Sequence, residues 1–495
     1  MLHKRDLIAI ALLIALALAI ACPRFRSGLD IRDEGFLAYG AERVAQGQIP
    51  NRDFESLQPP GSFYTATAIF KLFGTSLVSL RIFGLTLYVT IPILAYAIIR
   101  RMTGPVLAFA GAIPTLILGI PYFNFVPFAV WQGITATTAA ALLILLATDY
   151  GRPRLALLSG IFTGASLLLR QDQGVYLIIS IVAYIAMLLK AAVDPASKSS
   201  TTKLALGWIV GIALVLLPCA ILWAVEGALP AMFRQLVLAP LTTYAKTSSA
   251  PFPRFSLLTS PAQDVLINLF YCVPFVVILC VIGLRRQVRK RGWSLRETRL
   301  AFATIWSALF FCQAITRSDL SHLLITLVPF FVMCAWAWNA LHAGLAWHIS
   351  AACAVAALLW TAAPAVFPET AGEQKVDLPR AGVFAKGGAA LAAFVRSVQS
   401  QVPPNRPILC LPYQPMLYFL SQRRNPTRWN YLWPGDQSPE DHQTLIDEAR
   451  HDPPTLVFIV EENQLRLYAP AIVDYFSVNY KKTAQVGTMS VYAPK

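Results

Sequence analysis

Residues 7–22 of the chain, LIAIALLIALALAIAC, form an unbroken apolar run, and residues 24–61, RFRSGLDIRDEGFLAYGAERVAQGQIPNRDFESLQPPG, form a long polar stretch behind it. The apolar run follows Lys4 and Arg5, and basic residues beside a membrane span stay on the cytoplasmic side. We therefore expect an uncleaved first span with a cytoplasmic N-terminus. The polar stretch is then expected to lie outside the cytoplasm.

The composition of the whole chain agrees with this start. Of the 495 residues, 56% are hydrophobic and 14% are charged, whereas soluble globular proteins carry about 25% charged residues. The mean hydropathy is +0.56. A soluble fold cannot hide so much apolar surface, so disordered chains and sets of soluble domains are excluded. The expected fold class is a polytopic α-helical membrane protein.

Further apolar runs bring the expected number of transmembrane helices to about eleven. Loops rich in Lys and Arg, such as 285–299, alternate with acidic ones, which places the basic loops in the cytoplasm and the C-terminus outside. Residues 62–74 are too short to cross and are expected to form an interfacial helix, after an amphipathic helix at 35–46. The later spans are predicted at 77–99, 104–120, 128–147, 155–169, 174–190, 204–225, 263–284, 300–316, 323–341 and 344–366.

The tail and the charge balance complete the organisation. Beyond residue 366 the chain has 13 Lys or Arg and 12 Asp or Glu, so all but one unit of the net charge of +15 comes from the membrane part. Topology explains that excess, and no nucleic-acid partner is expected. Short apolar runs alternate with helical stretches in the tail, which predicts a small α/β domain. We expect a transmembrane domain at 1–366, including the first outer loop 23–76, and an extracytoplasmic domain at 367–495.

Acidic residues of the first outer loop are the first candidates for chemistry. Asp33 and Glu34 are adjacent, and Asp53 and Glu55 follow before Gln58-Pro59-Pro60-Gly61. Such carboxylates can take a proton from a hydroxyl or hold a divalent cation such as Mg²⁺, Mn²⁺ or Ca²⁺. We expect the first pair to be catalytic and the second to serve the acceptor or a cation. The sequence leaves a metal requirement open, and the eight cysteines show no metal-binding spacing.

Arginines from three other segments are expected on the same outer side. They occur in SLRIFG, in LLLRQDQGVY and in ITRSDLSHLL. Guanidinium groups suit the binding of a phosphate, especially beside an orienting carboxylate. The expected phosphate-binding residues are Arg81, Arg170, Arg317 and His322, and the expected orienting residues are Asp172 and Asp319.

The placement of these charges separates two kinds of function. An ion-coupled transporter carries ionisable residues near the bilayer midplane, whereas these charges lie at span ends. That distribution suits work on the head group of an amphiphile. The chemistry that fits is attack by a hydroxyl on a lipid-linked phosphate ester, with a carboxylate as base and arginines on the departing phosphate.

The motifs together resemble the membrane glycosyltransferases of the GT-C superfamily, in the bacterial branch related to protein O-mannosyltransferases and aminoarabinose transferases. The resemblance rests on Asp33-Glu34, Gly47, the segment from Asp53 to Pro60, Gly74 and Arg81, and on the RSDxxH element at 317–322. It covers the first hundred residues well and the rest loosely. Phe36 is a departure, since the aminoarabinose-type relatives carry an arginine at this point.

The resemblance implies an activity and a location. It implies transfer of a sugar from a polyprenyl-phosphate donor, with inversion and with Asp33 as the base, at the outer face of the cytoplasmic membrane. The departure at Phe36 leaves the donor phosphate to Arg81, Arg170 or Arg317. The acceptor is a lipid, a glycan or a protein, and the absence of a peptide-binding repeat favours the first two. Two alternatives stay open: a transporter or flippase of lipid-linked sugars, and a surface polysaccharide polymerase or ligase.

Overall fold

A computed structural model gives the fold and describes residues 3–191, 194–244, 247, 249–255, 266–340, 367 and 369–495. Most of these residues are helical. The first ten helices are α1 (Lys4–Ala21), α2 (Asp33–Ala45), α3 (Gly61–Phe73), α4 (Leu77–Ile99), α5 (Pro105–Ala112), α6 (Pro114–Ile117), α7 (Ala129–Tyr150), α8 (Pro153–Leu169), α9 (Gln171–Ala191) and α10 (Pro195–Val225). The next five are α11 (Leu229–Phe233), α12 (Leu269–Arg291), α13 (Leu295–Thr316), α14 (Leu320–Leu324) and α15 (Leu327–Ala340).

The expected class, a multi-pass helical membrane protein, is confirmed. Seven helical segments among the described residues are long and apolar enough to cross a membrane: α4, the segment Pro105–Phe123, α7, α9, α10, α12 and α13. Three further predicted spans correspond to α1, with its charged first turn, and to the shorter α8 and α15. The span predicted at 344–366 lies outside the described residues, so the count of eleven stays a prediction.

The span predicted at 104–120 is not one continuous helix. It consists of α5, α6 and a 3₁₀ turn at Ile120–Phe123. Pro114 begins α6 and Pro121 lies in the turn, and a proline inside a helix removes a backbone donor and clashes with the preceding turn. The interruption therefore follows from the sequence.

Glycines allow α8 and α10 to pack closely. A Cβ atom on Gly160 would lie 2.0 Å from the carbonyl oxygen of Trp208, and one on Gly211 would lie 2.1 Å from that of Leu157. Glycines spaced by four residues, such as Gly207 and Gly211, are typical of helix contacts inside membranes. Larger side chains at these positions would force the two helices apart.

The basic loops predicted to share one side meet at one end of the helices. Asp149, at the end of α7, forms ion pairs with Arg101, after α4, and with Arg299, at the start of α13. Nearby in sequence, Arg100 Nε donates to Asp6 Oδ1 at 2.8 Å. The alternation of loops in the predicted topology agrees with these contacts. The cytoplasmic location of this end stays a prediction.

The chain divides into two compact units, and the division differs from the predicted one. The helical unit contains Met1–Phe25, Phe83–Leu222 and Ser249–Glu369. The loop–tail unit contains Arg26–Ile82, Trp223–Ser248 and Thr370–Lys495. The first outer loop, expected to belong to the transmembrane domain, therefore folds with the tail.

The tail forms the small α/β structure that its sequence pattern predicts. The parallel pair β3 and β4 is extended by antiparallel β6 and β5, in the order β3-β4-β6-β5, and β1 pairs with β2. The strands are β1 (Glu373–Lys375), β2 (Phe384–Lys386), β3 (Ile408–Leu411), β4 (Leu456–Val460), β5 (Tyr480–Val486) and β6 (Met489–Pro494). The helices are α16 (Gly388–Gln401), α17 (Pro415–Ser421), α18 (Pro439–His451), α19 (Glu462–Tyr468) and α20 (Pro470–Asn479).

Helix α2 joins the loop to the tail by packing on α3 and on α17. A Cβ atom on Gly35 would lie 2.4 Å from the backbone nitrogen of Met416, so only glycine permits this approach. The backbone N–H of Met416 also donates to the carbonyl of Ile31 at 3.3 Å. This contact brings the end of β3 and the loop after it to the N-terminus of α2.

Candidate active site

The two adjacent acids of the loop lie in different environments. Both stand in the first turn of α2, where successive side chains point in different directions. Glu34 is completely buried, whereas Asp33 is exposed. Only one of the two predicted catalytic carboxylates is therefore open to a substrate.

Glu34 forms a buried ion pair with Arg81. Arg81 Nε donates to Glu34 Oε1 and Arg81 Nη2 donates to Glu34 Oε2, each at 2.8 Å, and neither side chain is exposed. Arg81 also donates to the carbonyls of Ser27 at 2.9 Å and Gly28 at 2.8 Å. The phosphate-binding role expected for Arg81 and the catalytic role expected for Glu34 do not fit this geometry. The pair instead fixes the start of α4 to the loop.

Both the side chain and the backbone of Asp33 are hydrogen-bonded to neighbours within the loop–tail unit. The Tyr413 hydroxyl, in the loop after β3, donates to Asp33 Oδ1 at 2.6 Å. The backbone N–H of Asp33 donates to Asp30 Oδ1 at 3.0 Å, and that of Arg32 donates to the same oxygen at 2.9 Å. Asp30 thus accepts from two backbone donors at the start of α2. The exposed carboxylate has a fixed backbone and one fixed oxygen.

Asp30 titrates in an unusual range. Burial and the neighbouring charges of Asp33 and Glu34 raise the pKa of Asp30 to about 6. Because the pKa in the folded protein lies above that of an ordinary aspartate, folding loses stability as the pH rises from about 4 to about 6. Above about pH 6 the ionised carboxylate lowers the free energy of unfolding by an amount that no longer changes with pH.

We expect Asp30→Asn to raise the unfolding temperature of the detergent-solubilised protein by roughly 2–4 °C at pH 7.5. Asparagine keeps the oxygen that accepts from the N–H groups of Arg32 and Asp33, and it removes the charge. The gain should shrink as the pH falls through about 6 and vanish near pH 4. Asp377→Asn, at an exposed acid paired with Lys375 and Arg396, is the control and should give no gain. An equal gain for Asp30→Asn at pH 4 and pH 7.5 would contradict the assignment.

The second acidic pair is occupied by basic residues. Asp53 accepts from Arg52 Nε at 2.8 Å and from the backbone N–H of Ile49 at 2.7 Å. Glu55 lies 3.1 Å from both Arg234 Nη2 and Arg428 Nη2. Among the described residues, no group of three His, Cys, Asp or Glu side chains could hold a metal ion. The cation or acceptor role expected for Asp53 and Glu55 does not fit this geometry.

The other predicted arginines belong to the helical unit. Arg317 Nε donates to Asp319 Oδ2 at 2.9 Å, and His322 Nδ1 lies 2.8 Å from Asp319 Oδ1. Burial raises the pKa of Asp319, but hydrogen bonds from His322 and Ser321 outweigh it and hold this pKa well below its usual range. Asp319 therefore stays ionised beside Arg317 and His322.

Arg170 lies in the break between α8 and α9, where its Nε donates to Asp172 Oδ1 at 3.0 Å. Helix α9 begins here and α13 ends just before Arg317. These two helices pack antiparallel, with aromatic rings in contact at two levels. The start of α9 and the end of α13 thus lie at the same end of the helical unit. We call this end the polar end; it carries Arg170, Asp172, Arg317, Asp319 and His322.

Two buried glutamines near the polar end were not predicted. The rings of Tyr176 on α9 and Phe310 on α13 have centroids 6.0 Å apart. One helical turn nearer the polar end, Gln173 and Gln313 follow on the same two faces. Both are almost fully buried, and their amide atoms have no hydrogen-bond partner among the described residues. Such atoms are costly, so this level suits water or a polar ligand.

The role of Asp30 could have been predicted from the sequence. Asp30 comes shortly before the predicted helix, and an aspartate in such a place often accepts from the backbone donors that follow it. Tyr413 gave no such signal, because 380 residues separate it from Asp33. Asp33 belongs to the loop–tail unit and the polar end belongs to the helical unit.

Part of the sequence matches a known protein family. Residues 57–223 match the model of a family described as dolichyl-phosphate-mannose-protein mannosyltransferase. No curated protein matches the sequence.

The solved structures that share the fold include one of ArnT and one of AglB. ArnT from Cupriavidus metallidurans bound to undecaprenyl phosphate is 14% identical, with 98% of this chain and 97% of that chain covered and a TM-score of 0.57. The archaeal oligosaccharyltransferase AglB from Archaeoglobus fulgidus, in complex with an inhibitory peptide and a dolichol-phosphate, is 11% identical. The superposition covers 99% of this chain and 74% of the AglB chain, with a TM-score of 0.59. At these identities the likeness shows a shared fold.

Proposed function

We propose that this chain, a membrane glycosyltransferase with the GT-C fold, transfers a sugar from a polyprenyl-phosphate-linked donor to a hydroxyl of a lipid, glycan or protein. The single observation that carries the proposal is the contrast between the two acids of α2. Glu34 is buried in an ion pair with Arg81, whereas Asp33 is exposed and one of its carboxylate oxygens accepts a hydrogen bond from Tyr413. A fixed, accessible carboxylate is what a general base requires.

We propose that the reaction is a single displacement. Asp33 accepts the proton of the acceptor hydroxyl, through Oδ2, since Oδ1 already accepts from Tyr413. The hydroxyl oxygen forms a bond to the anomeric carbon while the bond from that carbon to the phosphate oxygen breaks. Polyprenyl phosphate leaves as an anion, and the configuration of the sugar inverts. Asp53 and Glu55 take no part in this step, since both are paired with arginines.

The polar end of the helical unit supplies the charge that a lipid-linked phosphate needs. Arg170 and Arg317 are both partly exposed, Arg170 beside Asp172 and Arg317 beside Asp319, and His322 lies next to Asp319. Arginine suits phosphate because its donors match two phosphate oxygens at once. We propose Arg170, Arg317 and His322 as the phosphate-binding residues, and the unpaired amides of Gln173 and Gln313 suit hydrogen bonds to a polar ligand within the helical unit. Arg81 is left out of this assignment.

The relatives support the donor class. The ArnT structure contains undecaprenyl phosphate, the AglB structure contains a dolichol-phosphate, and the matched family is named for dolichyl-phosphate-mannose. All three are isoprenoid phosphates. These names support the donor class, and the proposed acceptor group is a hydroxyl.

We further propose the cytoplasmic membrane as the location, with the N-terminus inside and the loop–tail unit outside. The charge distribution supports this orientation. Asp149, Arg101 and Arg299 meet at the end that carries the basic loops, and such loops are retained in the cytoplasm. The polar end is then extracytoplasmic.

The test is the fate of a labelled sugar. Purified protein in liposomes is incubated with polyprenyl-phosphate sugars labelled in the sugar, together with lipid and glycan extracts. We expect the label to enter a new glycosidic product while free polyprenyl phosphate accumulates. Movement of intact donor across the bilayer without a new bond would instead support a flippase. Products that grow by repeated units would support a polymerase.

A further inference from the structure

We infer that Tyr413 of the tail is a positioning residue for Asp33, so that the tail forms part of the catalytic site. The inference rests on the proposed function and deepens it. It starts from the hydrogen bond of 2.6 Å from the Tyr413 hydroxyl to Asp33 Oδ1. Both residues belong to the loop–tail unit.

The ring of Tyr413 is fixed by its surroundings. Its centroid lies 6.3 Å from that of Phe36 on α2 and 5.9 Å from that of Tyr431, each with edge-to-face geometry. Phe36 and Tyr431 are also in contact, at 5.9 Å. Three rings in mutual contact restrict one another. The backbone before the tyrosine is tied as well, because the N–H of Leu432 donates to the carbonyl of Pro412 at 2.8 Å.

Tyr413 acts on Asp33 only as a hydrogen-bond donor. Burial and the negative charge of Asp33 raise the pKa of Tyr413 well above its usual range. The hydroxyl therefore stays protonated and donates to the carboxylate. It does not compete as a base.

The consequence for catalysis is orientation. An exposed aspartate on its own samples several rotamers, and a general base acts only when its free oxygen lies within hydrogen-bond reach of the acceptor. A donor on Oδ1 restricts the carboxylate and leaves Oδ2 for the proton. Asp30 fixes the backbone of the same residue from the other side. The loop supplies the base, and the tail holds its side chain.

The presence of Phe36 agrees with this arrangement. Its ring takes the place between Tyr413, Tyr431 and Phe63 and is buried. A charged side chain at this position could not complete an aromatic cluster without a partner. The aromatic residue in α2 therefore serves the contact with the tail.

The test compares Tyr413→Phe with Tyr492→Phe. The first change removes the hydroxyl and keeps the ring. Tyr492 on β6 also donates to a carboxylate, Glu462 Oε2 at 2.9 Å, so its replacement is a matched control. We expect Tyr413→Phe to lower kcat about 10–100-fold, as the loss of a hydrogen bond to a charged group does, with KM values and unfolding temperature nearly unchanged. Tyr492→Phe should keep kcat within twofold.

Several outcomes would overturn the inference. These are a kcat within twofold of wild type in Tyr413→Phe, a rise in KM without a fall in kcat, or equal losses in both variants. A fall in kcat that only mirrors a lower unfolding temperature would assign Tyr413 a structural role. If Tyr413→Phe stays active while Asp33→Asn is inactive, this inference fails and the proposed function stands. If the wild type forms no glycosidic bond, the proposed function itself fails.

Discussion

Asp33→Asn is expected to lower the rate of sugar transfer about 10²–10⁴-fold, the range in which general bases contribute to enzymatic rates. Asparagine keeps an oxygen that can accept from Tyr413 and has nearly the same size. It cannot accept a proton from the acceptor hydroxyl at neutral pH. Because Asp33 is exposed and forms no ion pair among those found in the described residues, the fold should survive the change. The measurement is the initial rate of transfer at saturating donor, alongside the unfolding temperature.

Asp447→Asn is the matched control for this result. Asp447 is an exposed acid of α18, paired with Arg450 at 2.9 Å, and its replacement removes the same charge from the same unit. It should leave the rate within twofold. Wild-type activity in Asp33→Asn would remove the role of the base, whatever the tail does. Loss of activity together with loss of folded protein would point to a structural role for Asp33.

Arg81→Ala is expected to destabilise the protein by about 3–5 kcal/mol, which is the cost of leaving a buried charge without its partner. Glu34 would remain completely enclosed, and the carbonyls of Ser27 and Gly28 would lose their donors. Compensation by water is poor at a site without solvent exposure. We expect little folded protein after detergent extraction, measured by size-exclusion chromatography, and a much lower unfolding temperature.

Two further variants test the reason for this loss. Arg81→Lys keeps the charge but cannot reproduce the two parallel hydrogen bonds to Glu34, so it should recover only part of the stability. Arg466→Ala breaks an exposed pair with Asp474 and should cost less than about 1 kcal/mol. Arg81→Ala with wild-type stability and no transfer would contradict the structural role and restore Arg81 to the phosphate.

Much of the fold was predictable because hydrophobic patterning determines it. The span predicted at 77–99 has the bounds of α4, and the apolar runs RPILCLP and TLVFIVEEN contain β3 and β4. Strand β5 was not predicted. Its sequence, YKKTAQV, is charged and polar, and six of its seven residues are exposed at the sheet edge. Without a buried face, a strand leaves no alternating apolar pattern in the sequence.

The candidate site was predictable only in part. The acids of the loop were identified from their density, but the predicted helix began at residue 35, whereas α2 begins at Asp33. Since successive residues of a helix turn by about 100°, that difference decides which acid is buried. The pairing of Glu34 with Arg81 across 47 residues, and of Asp33 with Tyr413, depends on tertiary packing. No local pattern encodes either contact.

The anomeric configuration of the product tests the central claim most directly. NMR of the sugar transferred from a donor of known configuration reports it without any substitution in the protein. If Asp33 deprotonates the acceptor in a single displacement, the product carries the inverted configuration. A product with retained configuration would exclude a single in-line displacement and would contradict this role of Asp33.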